Sequence, residues 1–222
     1  MSSAVIFDLD DTLYKEINYL KSGFKYISKI IANDINETQT KIFKKLIFHY
    51  KNKENVFQKI INEYNLSYNI KDLILLYRNH KPKIRLSKET ENTLLYLINN
   101  DYKLGLLTDG DSNQQRGKIS ALELEKYITE YVISDEFGST KPNENNYKYF
   151  SEKKYSYCEK FYYIADNIRK DFIAPNNLGW ITICILDNGK NIHEQNFSIN
   201  TKIYPHYKVK SIKHIIPIIN EK

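Results

Sequence analysis

The chain has 222 residues, which is enough for one substantial hydrophobic core or for a core with a small accessory domain. Hydrophobic residues make up 41% of it, and no apolar run approaches the roughly 18 residues of a membrane span, so we expect no membrane attachment. The formal net charge of +6 has two possible explanations: attraction to an anionic partner, or lysines spread over solvated helix faces. The second interpretation is preferred because lysines cluster in predicted helices, and no nucleic-acid partner is expected.

The cysteine content and the start of the chain indicate the compartment. Only Cys158 and Cys184 are present, which indicates a reducing environment rather than a disulfide framework. The chain opens on an apolar strand pattern, without the basic and long apolar regions of a secretory signal. We therefore expect a cytoplasmic protein, and the sequence carries no information on its oligomeric state.

The first predicted element is a buried strand over residues 4–9, a short continuous apolar run bounded by charge. About four amphipathic helices follow it. Their apolar residues recur at helical spacing within 20–31, 42–50, 56–64 and 73–77. These helices either pack on the sheet or form a separate unit. The second interpretation is preferred because no strand-like run separates them, and it makes residues 15–81 a small helical domain inserted after the first strand.

Four later apolar runs resemble the first one, at residues 103–108, 131–134, 161–165 and 181–186. Helical patterns fall between most of these runs. Strands that alternate with helices predict an α/β fold with a doubly wound, Rossmann-like parallel sheet. The predicted sheet domain comprises residues 1–14 and 82–222.

Three carboxylates follow the first strand directly, on Asp8, Asp10 and Asp11. In open α/β sheets, ligands bind beyond the carboxyl ends of the strands. Carboxylates packed together at this edge repel one another unless a cation or a proton relieves them. Carboxylate and backbone oxygens are the ligands that Mg²⁺ prefers, so the pattern indicates a magnesium site.

The next three predicted strands are also followed by polar residues: a hydroxyl, a lysine and a further carboxylate pair. The second strand ends in Thr108-Asp109-Gly110, Lys141 follows the third, and Asp166-Asn167 follows the fourth, with Asp171 five residues after Asp166. Each of these residues alone has an ordinary structural explanation, such as a helix cap or a surface lysine. Their occurrence together, in order and at strand ends, predicts one active site.

At this point the sequence resembles the haloacid dehalogenase-like hydrolase superfamily. Asp8-Leu9-Asp10-Asp11-Thr12 matches its first motif, D-x-D-x-T, and Thr108 matches its second. Lys141 matches the third motif, and Asp166 with Asp171 matches the fourth. The resemblance covers the predicted sheet domain, and the inserted helices resemble the cap of the family's first cap class.

The resemblance implies a catalytic centre and a magnesium site. Asp8 would attack phosphorus and form an aspartyl-phosphate, while Asp10 would protonate the leaving oxygen and then deprotonate water. Mg²⁺ would be held by the Asp8 side chain, the Asp10 backbone carbonyl and Asp166. Asp171 and Asn167 would orient these ligands rather than bind the metal.

The resemblance also implies a phosphate-binding set. Thr108 would donate a hydrogen bond to a phosphoryl oxygen, with help from the backbone at Asp109 and Leu9, and Lys141 would neutralise charge on the phosphoryl group and on Asp8. The predicted function is a phosphatase for a small phosphorylated metabolite, such as a sugar phosphate or a nucleotide. Two alternatives stay open: a sugar phosphomutase of the same superfamily, and a non-catalytic protein that binds phosphate or nucleic acid.

Overall fold

The computed structural model describes residues 2–198 and 204–221. The chain divides into two compact units, one formed by Met1–Glu16 with Arg85–Lys222 and the other by Ile17–Ile84. Among the described residues, no helix combines the length and the apolar character that crossing a membrane requires.

The unit Ile17–Ile84 is helical. Its helices are α1 (Glu16–Asp34, which begins in the other unit), α2 (Gln39–Lys51), α3 (Val56–Tyr64) and α4 (Ile70–Asn79). An asparagine or a threonine caps α2, α3 and α4 from the position just before each helix begins. Helix α4 has a full capping box between Asn69 and Asp72. Each of the four helical patterns found in the sequence thus corresponds to one helix. The interpretation of this unit as a substrate-covering cap stays a prediction.

Among the described residues of the larger unit, six strands form one sheet in which every pairing is parallel. The strands are β1 (Ser3–Phe7), β2 (Lys103–Thr108), β3 (Glu130–Ile133), β4 (Lys160–Ala165), β5 (Ile181–Ile185) and β6 (Tyr207–Val209), in the order β3-β2-β1-β4-β5-β6. The doubly wound, Rossmann-like prediction is confirmed. The sequence analysis missed β6, because it is only three residues long and buries Val209 alone.

Helices connect the strands of this unit. They are α5 (Lys88–Asn99), α6 (Ser112–Ala121), α7 (Ser134–Phe137), α8 (Glu144–Lys148), α9 (Ile173–Asn177) and α10 (Ile215–Asn220). Strand order changes direction at β1, whose neighbours are β2 and β4. In such sheets the crevice at the carboxyl ends beside this switch point binds the ligand. The fold therefore brings the segments after β1, β2 and β4 to one edge.

Gly105 in the middle of β2 marks a tight contact in the core. A β-carbon at this position would lie 2.5 Å from Cε1 of Phe150 and 2.7 Å from Cδ1 of Ile6, both of which are fully buried. We expect Gly105→Ala to lower the free energy of unfolding by about 1–3 kcal/mol, because overpacking forces buried side chains out of their preferred rotamers. Urea denaturation measures this change.

The control for Gly105→Ala is the double variant with Phe150→Leu. A smaller side chain at position 150 makes room for the added methyl group, so the alanine should cost less in that background. Equal costs in the two backgrounds would contradict the steric explanation.

Candidate active site

A polar cavity of about 190 Å³ lies at the carboxyl ends of the parallel strands, and residues of the sheet unit line it. Its lining includes eight of the predicted site residues: Asp8, Asp10, Thr108, Asp109, Lys141, Asp166, Asn167 and Asp171. Leu9 is fully buried and is not part of the lining, so a role for its backbone in phosphate binding stays a prediction.

Lys141 occupies the centre of the site, between two carboxylates. Its Nζ lies 2.5 Å from Oδ1 of Asp8 and 2.7 Å from Oδ1 of Asp171, and all three side chains are almost completely buried. Lys141 donates hydrogen bonds to Asp8 and, at 3.3 Å, to the Tyr163 hydroxyl, while its contact with Asp171 is an ion pair. The neighbouring carboxylates raise the pKa of Lys141 well above its ordinary value, against the opposing effect of burial. The structure thus holds a fixed positive charge beside Asp8.

Asp8, Asp166 and Asp171 form a buried cluster that can hold a metal ion. One carboxylate oxygen from each of them lies within 4.8 Å of the others. Burial, opposed by Lys141, raises the pKa of Asp8 to about 7, and burial together with Asp8 raises the pKa of Asp166 to about 9. These shifts mean that the buried carboxyl groups of Asp8 and Asp166 resist carrying their charges together. A divalent cation would relieve that resistance, and an oxygen-only donor set suits Mg²⁺.

The cluster differs from the one that the spacing of the first motif suggested. Asp11 contributes to local structure instead, because its carboxylate accepts hydrogen bonds from the backbone N–H groups of Glu16 at 3.0 Å and Ile192 at 2.9 Å. Asp171, expected to orient the ligands, has a carboxylate oxygen within 4.8 Å of those of Asp8 and Asp166, and its role stays a prediction. The predicted role of the Asp10 backbone carbonyl as a ligand stays a prediction.

The side chain of Asp10 is directed towards helix α6. Lys118 Nζ lies 2.8 Å from its Oδ1 and 2.7 Å from its Oδ2. Tyr14 donates to Oδ1 at 2.6 Å, and Gln115 donates to Oδ2 at 3.3 Å. Sequence reasoning missed Lys118 and Gln115. Their spacing of three residues on the helix after the second motif, which puts both on one face, was the available signal.

Asp109 arranges the backbone around the predicted phosphate-binding residues. Its carboxylate accepts hydrogen bonds from the Lys141 backbone N–H at 3.0 Å and from the Lys170 ammonium group at 2.6 Å. Gly110 follows with a φ of +138°, which glycine adopts without strain, and its N–H donates to Ser134 at 2.9 Å. Thr108, the last residue of β2, is buried and lines the cavity. The end of β2 is therefore tied to the segment that carries Lys141.

Two other segments contact the carboxylate cluster. The backbone N–H of Asn167 donates to Asp171 at 3.0 Å, and the expected supporting role of Asn167 stays a prediction. In the loop after β5, Asn191 donates to Oδ2 of Asp166 at 2.9 Å and Gln195 donates to the Asp166 carbonyl at 2.8 Å. No pattern in the sequence indicated these two residues, although their loop follows a strand at the same edge of the sheet.

The family of the chain follows from comparison with known proteins. The profile of the haloacid dehalogenase-like hydrolase family matches residues 5–185, which is most of the chain. The chain belongs to this family. The family assignment made from the four sequence motifs is thereby confirmed.

Relatives with curated names cover most or all of the chain. A glyceraldehyde 3-phosphate phosphatase of Methanocaldococcus jannaschii is 26% identical over 99% of this chain and 97% of its own length. A protein of the same name from Methanothermobacter thermautotrophicus is 25% identical over 83% of this chain and 86% of its own length. The prediction of an enzyme of the phosphatase type is thereby confirmed.

Solved structures show the same fold. The magnesium-bound hydrolase YfnB from Bacillus subtilis superimposes with a TM-score of 0.68 at 18% identity, and the match covers 99% of both chains. Because the identity is low, this likeness supports the fold and not a shared substrate.

Proposed function

We propose that this protein is a magnesium-dependent phosphomonoesterase that acts on a small phosphorylated metabolite through an aspartyl-phosphate on Asp8. One observation carries the proposal: the Asp8 carboxylate lies 2.5 Å from the buried Lys141 ammonium group and in one cluster with Asp166 and Asp171. A carboxylate nucleophile needs positive charge nearby, since the phosphate it attacks is itself an anion.

In this mechanism Asp8 attacks phosphorus with one carboxylate oxygen. Lys141 offsets the charge of Asp8 and of the phosphoryl oxygens, and the Thr108 hydroxyl donates a hydrogen bond to one of those oxygens. Phosphoryl transfer depends mainly on positioning and on electrostatic stabilisation, and the buried Lys141 supplies both. A bond between phosphorus and Asp8 splits the overall hydrolysis into two easier displacements.

Asp8, Asp166 and the backbone carbonyl of Asp10 would hold Mg²⁺, with Asp171 within reach of the same position. When bound, the ion supplies positive charge that reduces repulsion between the carboxylate and the phosphate. Asp10 carries the protons: its carboxyl group protonates the leaving oxygen and later accepts a proton from water.

The substrate is proposed to be small. The cavity of about 190 Å³ is below the roughly 300–1,000 Å³ of pockets for drug-sized ligands, which favours a compact phosphate ester. Relatives that cover the chain are named for glyceraldehyde 3-phosphate, and we include this three-carbon sugar phosphate in the proposed substrate class. Residues 15–81 are proposed as the cap that selects the leaving group, and a cytoplasmic location stays a prediction from sequence.

The test is phosphate release from a panel of phosphorylated metabolites with and without Mg²⁺. The panel contains glyceraldehyde 3-phosphate, hexose phosphates, nucleoside monophosphates and a phosphoprotein. We expect release from at least one small metabolite, and only with the metal. Isomerised sugar phosphate without free phosphate would indicate the mutase instead, and inactivity on the whole panel would contradict the proposal.

The acidic cluster also predicts how stability depends on pH and on metal. The pKa values of Asp8 and Asp166 are raised from 3.8 to about 7 and about 9 in the folded protein. The protonated carboxyl groups therefore contribute fully to folding stability below the pKa of the unfolded chain. This contribution is lost as the pH rises through the pKa values of the folded protein. We expect the melting temperature of the metal-free protein to decrease as the pH is raised from about 5 to about 9.

Added Mg²⁺ should counteract this loss. At about 100 times its dissociation constant, a ligand stabilises by about 2.7 kcal/mol, which corresponds to roughly 5–10 °C in a protein of this size. The gain should be larger near pH 8.5 than near pH 5.5, because protons compete with the ion for the carboxylates (about one proton per group). Asp166→Asn should remove most of the gain. Equal gains at both pH values would contradict binding at this cluster.

A further inference from the structure

The carboxyl group of Asp10 is held by three donors. Lys118 contacts both of its oxygens, at 2.8 and 2.7 Å, while Tyr14 donates to one at 2.6 Å and Gln115 to the other at 3.3 Å. These contacts reach both carboxyl oxygens, one from Tyr14 in the turn after β1 and the others from helix α6. The orientation of the Asp10 side chain is therefore fixed from both sides.

Lys118 is the member of this set with the least access to solvent. Its side chain is 1% exposed, whereas that of Asp10 is 20% exposed. Glu16 places a second carboxylate 3.8 Å from the same ammonium group. A buried lysine is costly unless acids and hydrogen bonds compensate for its lost hydration, and both surround Lys118. The ion pair also connects the loop after β1 with helix α6, which follows the Thr108 segment.

We propose that Lys118 is a positioning residue for Asp10, which fixes the carboxyl group in the orientation for proton transfer to the leaving group. The inference depends on the proposed function. In the first step the bond from Asp8 oxygen to phosphorus forms, the bond from phosphorus to the leaving oxygen breaks, and the Asp10 proton goes to that oxygen. In the second step water attacks phosphorus, Asp10 takes its proton, and phosphate leaves as the Asp8 carboxylate is restored. Lys118 neither gains nor loses a proton.

A positioning role predicts a dependence on the leaving group that a purely structural ion pair does not. An alkoxide leaves poorly without a proton, so an alkyl phosphate requires a correctly oriented Asp10. The nitrophenolate of p-nitrophenyl phosphate leaves readily without one. A misplaced general acid should therefore slow the first ester and spare the second, while general damage to the fold should slow both equally.

The experiment measures kcat/KM for glyceraldehyde 3-phosphate and p-nitrophenyl phosphate with the Mg²⁺-loaded full chain. For each ester, kcat/KM reports the steps up to and including the first phosphoryl transfer. For Lys118→Met we expect a loss of about 10- to 100-fold on the alkyl ester, because misplacing a catalytic group by about 1 Å can cost 10²-fold. The loss on the aryl ester should stay within about threefold. Asp10→Asn should show the same pattern with a larger loss on the alkyl ester.

Lys170→Met is the matched control. Lys170 also lines the cavity, but its ammonium group contacts Asp109 at 2.6 Å, so any loss in this variant should be equal for the two esters. If Lys118→Met does not fold, as thermal unfolding would show, Lys118→Gln replaces it, since the amide loses the charge and the reach but keeps a polar group.

The outcomes separate this inference from the proposed function. A wild-type enzyme that hydrolyses both esters, with Lys118 variants that lose equally on both or on neither, overturns the positioning role alone. A wild-type protein that hydrolyses neither ester, and no other metabolite of the phosphate-release panel, overturns the proposed function and the positioning role together. A selective loss on the alkyl ester, absent from Lys170→Met, supports both.

Discussion

Replacing Asp8 by asparagine is expected to reduce phosphate release by on the order of 10⁴-fold or more, because an amide oxygen is a poor nucleophile and cannot form the acyl phosphate that a carboxylate forms. Asparagine has nearly the size and shape of aspartate. The substitution should therefore not disturb the packing around Asp8, which is 6% exposed. The wild type should take up ³²P label in acid-quenched samples and Asp8→Asn should not, because the carboxylate that accepts the phosphoryl group is missing.

Asp101→Asn is the matched control for this experiment. Asp101 is exposed, lies outside the cavity and has a φ of +64°, a conformation that asparagine tolerates as well as aspartate does. This variant should keep wild-type activity. Residual turnover of more than a few per cent in Asp8→Asn, with no contaminating phosphatase, would exclude Asp8 as the nucleophile.

Lys141→Met is expected to impair both activity and stability. The change removes the positive charge between Asp8 and Asp171, whose oxygens lie 2.5 and 2.7 Å from Nζ. Activity should fall by about 10³-fold or more, as when other cations that stabilise phosphoryl transfer are removed. Breaking a buried ion pair from one side costs about 3–5 kcal/mol at neutral pH, because the remaining charges lose their compensation.

The stability cost of Lys141→Met should shrink as the pH falls. Burial raises the pKa of Asp8 to about 7 even with Lys141 beside it, and loss of the lysine should raise this pKa further, so acid protonates the carboxyl group and removes the uncompensated charge. Urea denaturation at several pH values measures the difference from the wild type. Lys170→Met is the control, because its partly exposed pair with Asp109 should contribute at most about 1 kcal/mol. A cost for Lys141→Met that does not depend on pH would contradict this explanation.

Strands and the order of the motifs could be predicted from sequence. Five of the six strands were located to within one or two residues, because buried parallel strands are short apolar runs that stand out from their surroundings. The sixth, Tyr207–Val209, is exposed at two of its three residues and lacks that pattern. It pairs with β5 at the edge of the sheet, where burial no longer dictates an apolar run.

The full composition of the carboxylate cluster could not be predicted from sequence. Spacing along the chain placed Asp8, Asp10 and Asp11 together, yet their side chains point in different directions in the turn after β1. Asp8 joins Asp166 and Asp171, Asp10 contacts Lys118, and Asp11 accepts hydrogen bonds from the backbone. Adjacent residues in an irregular turn do not share a direction, and no pattern in the sequence encodes it.

By itself, the sequence determined that Asp8, Thr108, Lys141 and Asp166 meet at one edge, because parallel strands bring their carboxyl ends to the same side of the sheet. Only the tertiary structure decided that Lys141 is shared by Asp8 and Asp171 and that Lys118 is paired with Asp10. The physical reason is that such pairings depend on side-chain directions and on the exact placement of helices. The order of the strands does not determine these to within the few ångströms that an ion pair requires.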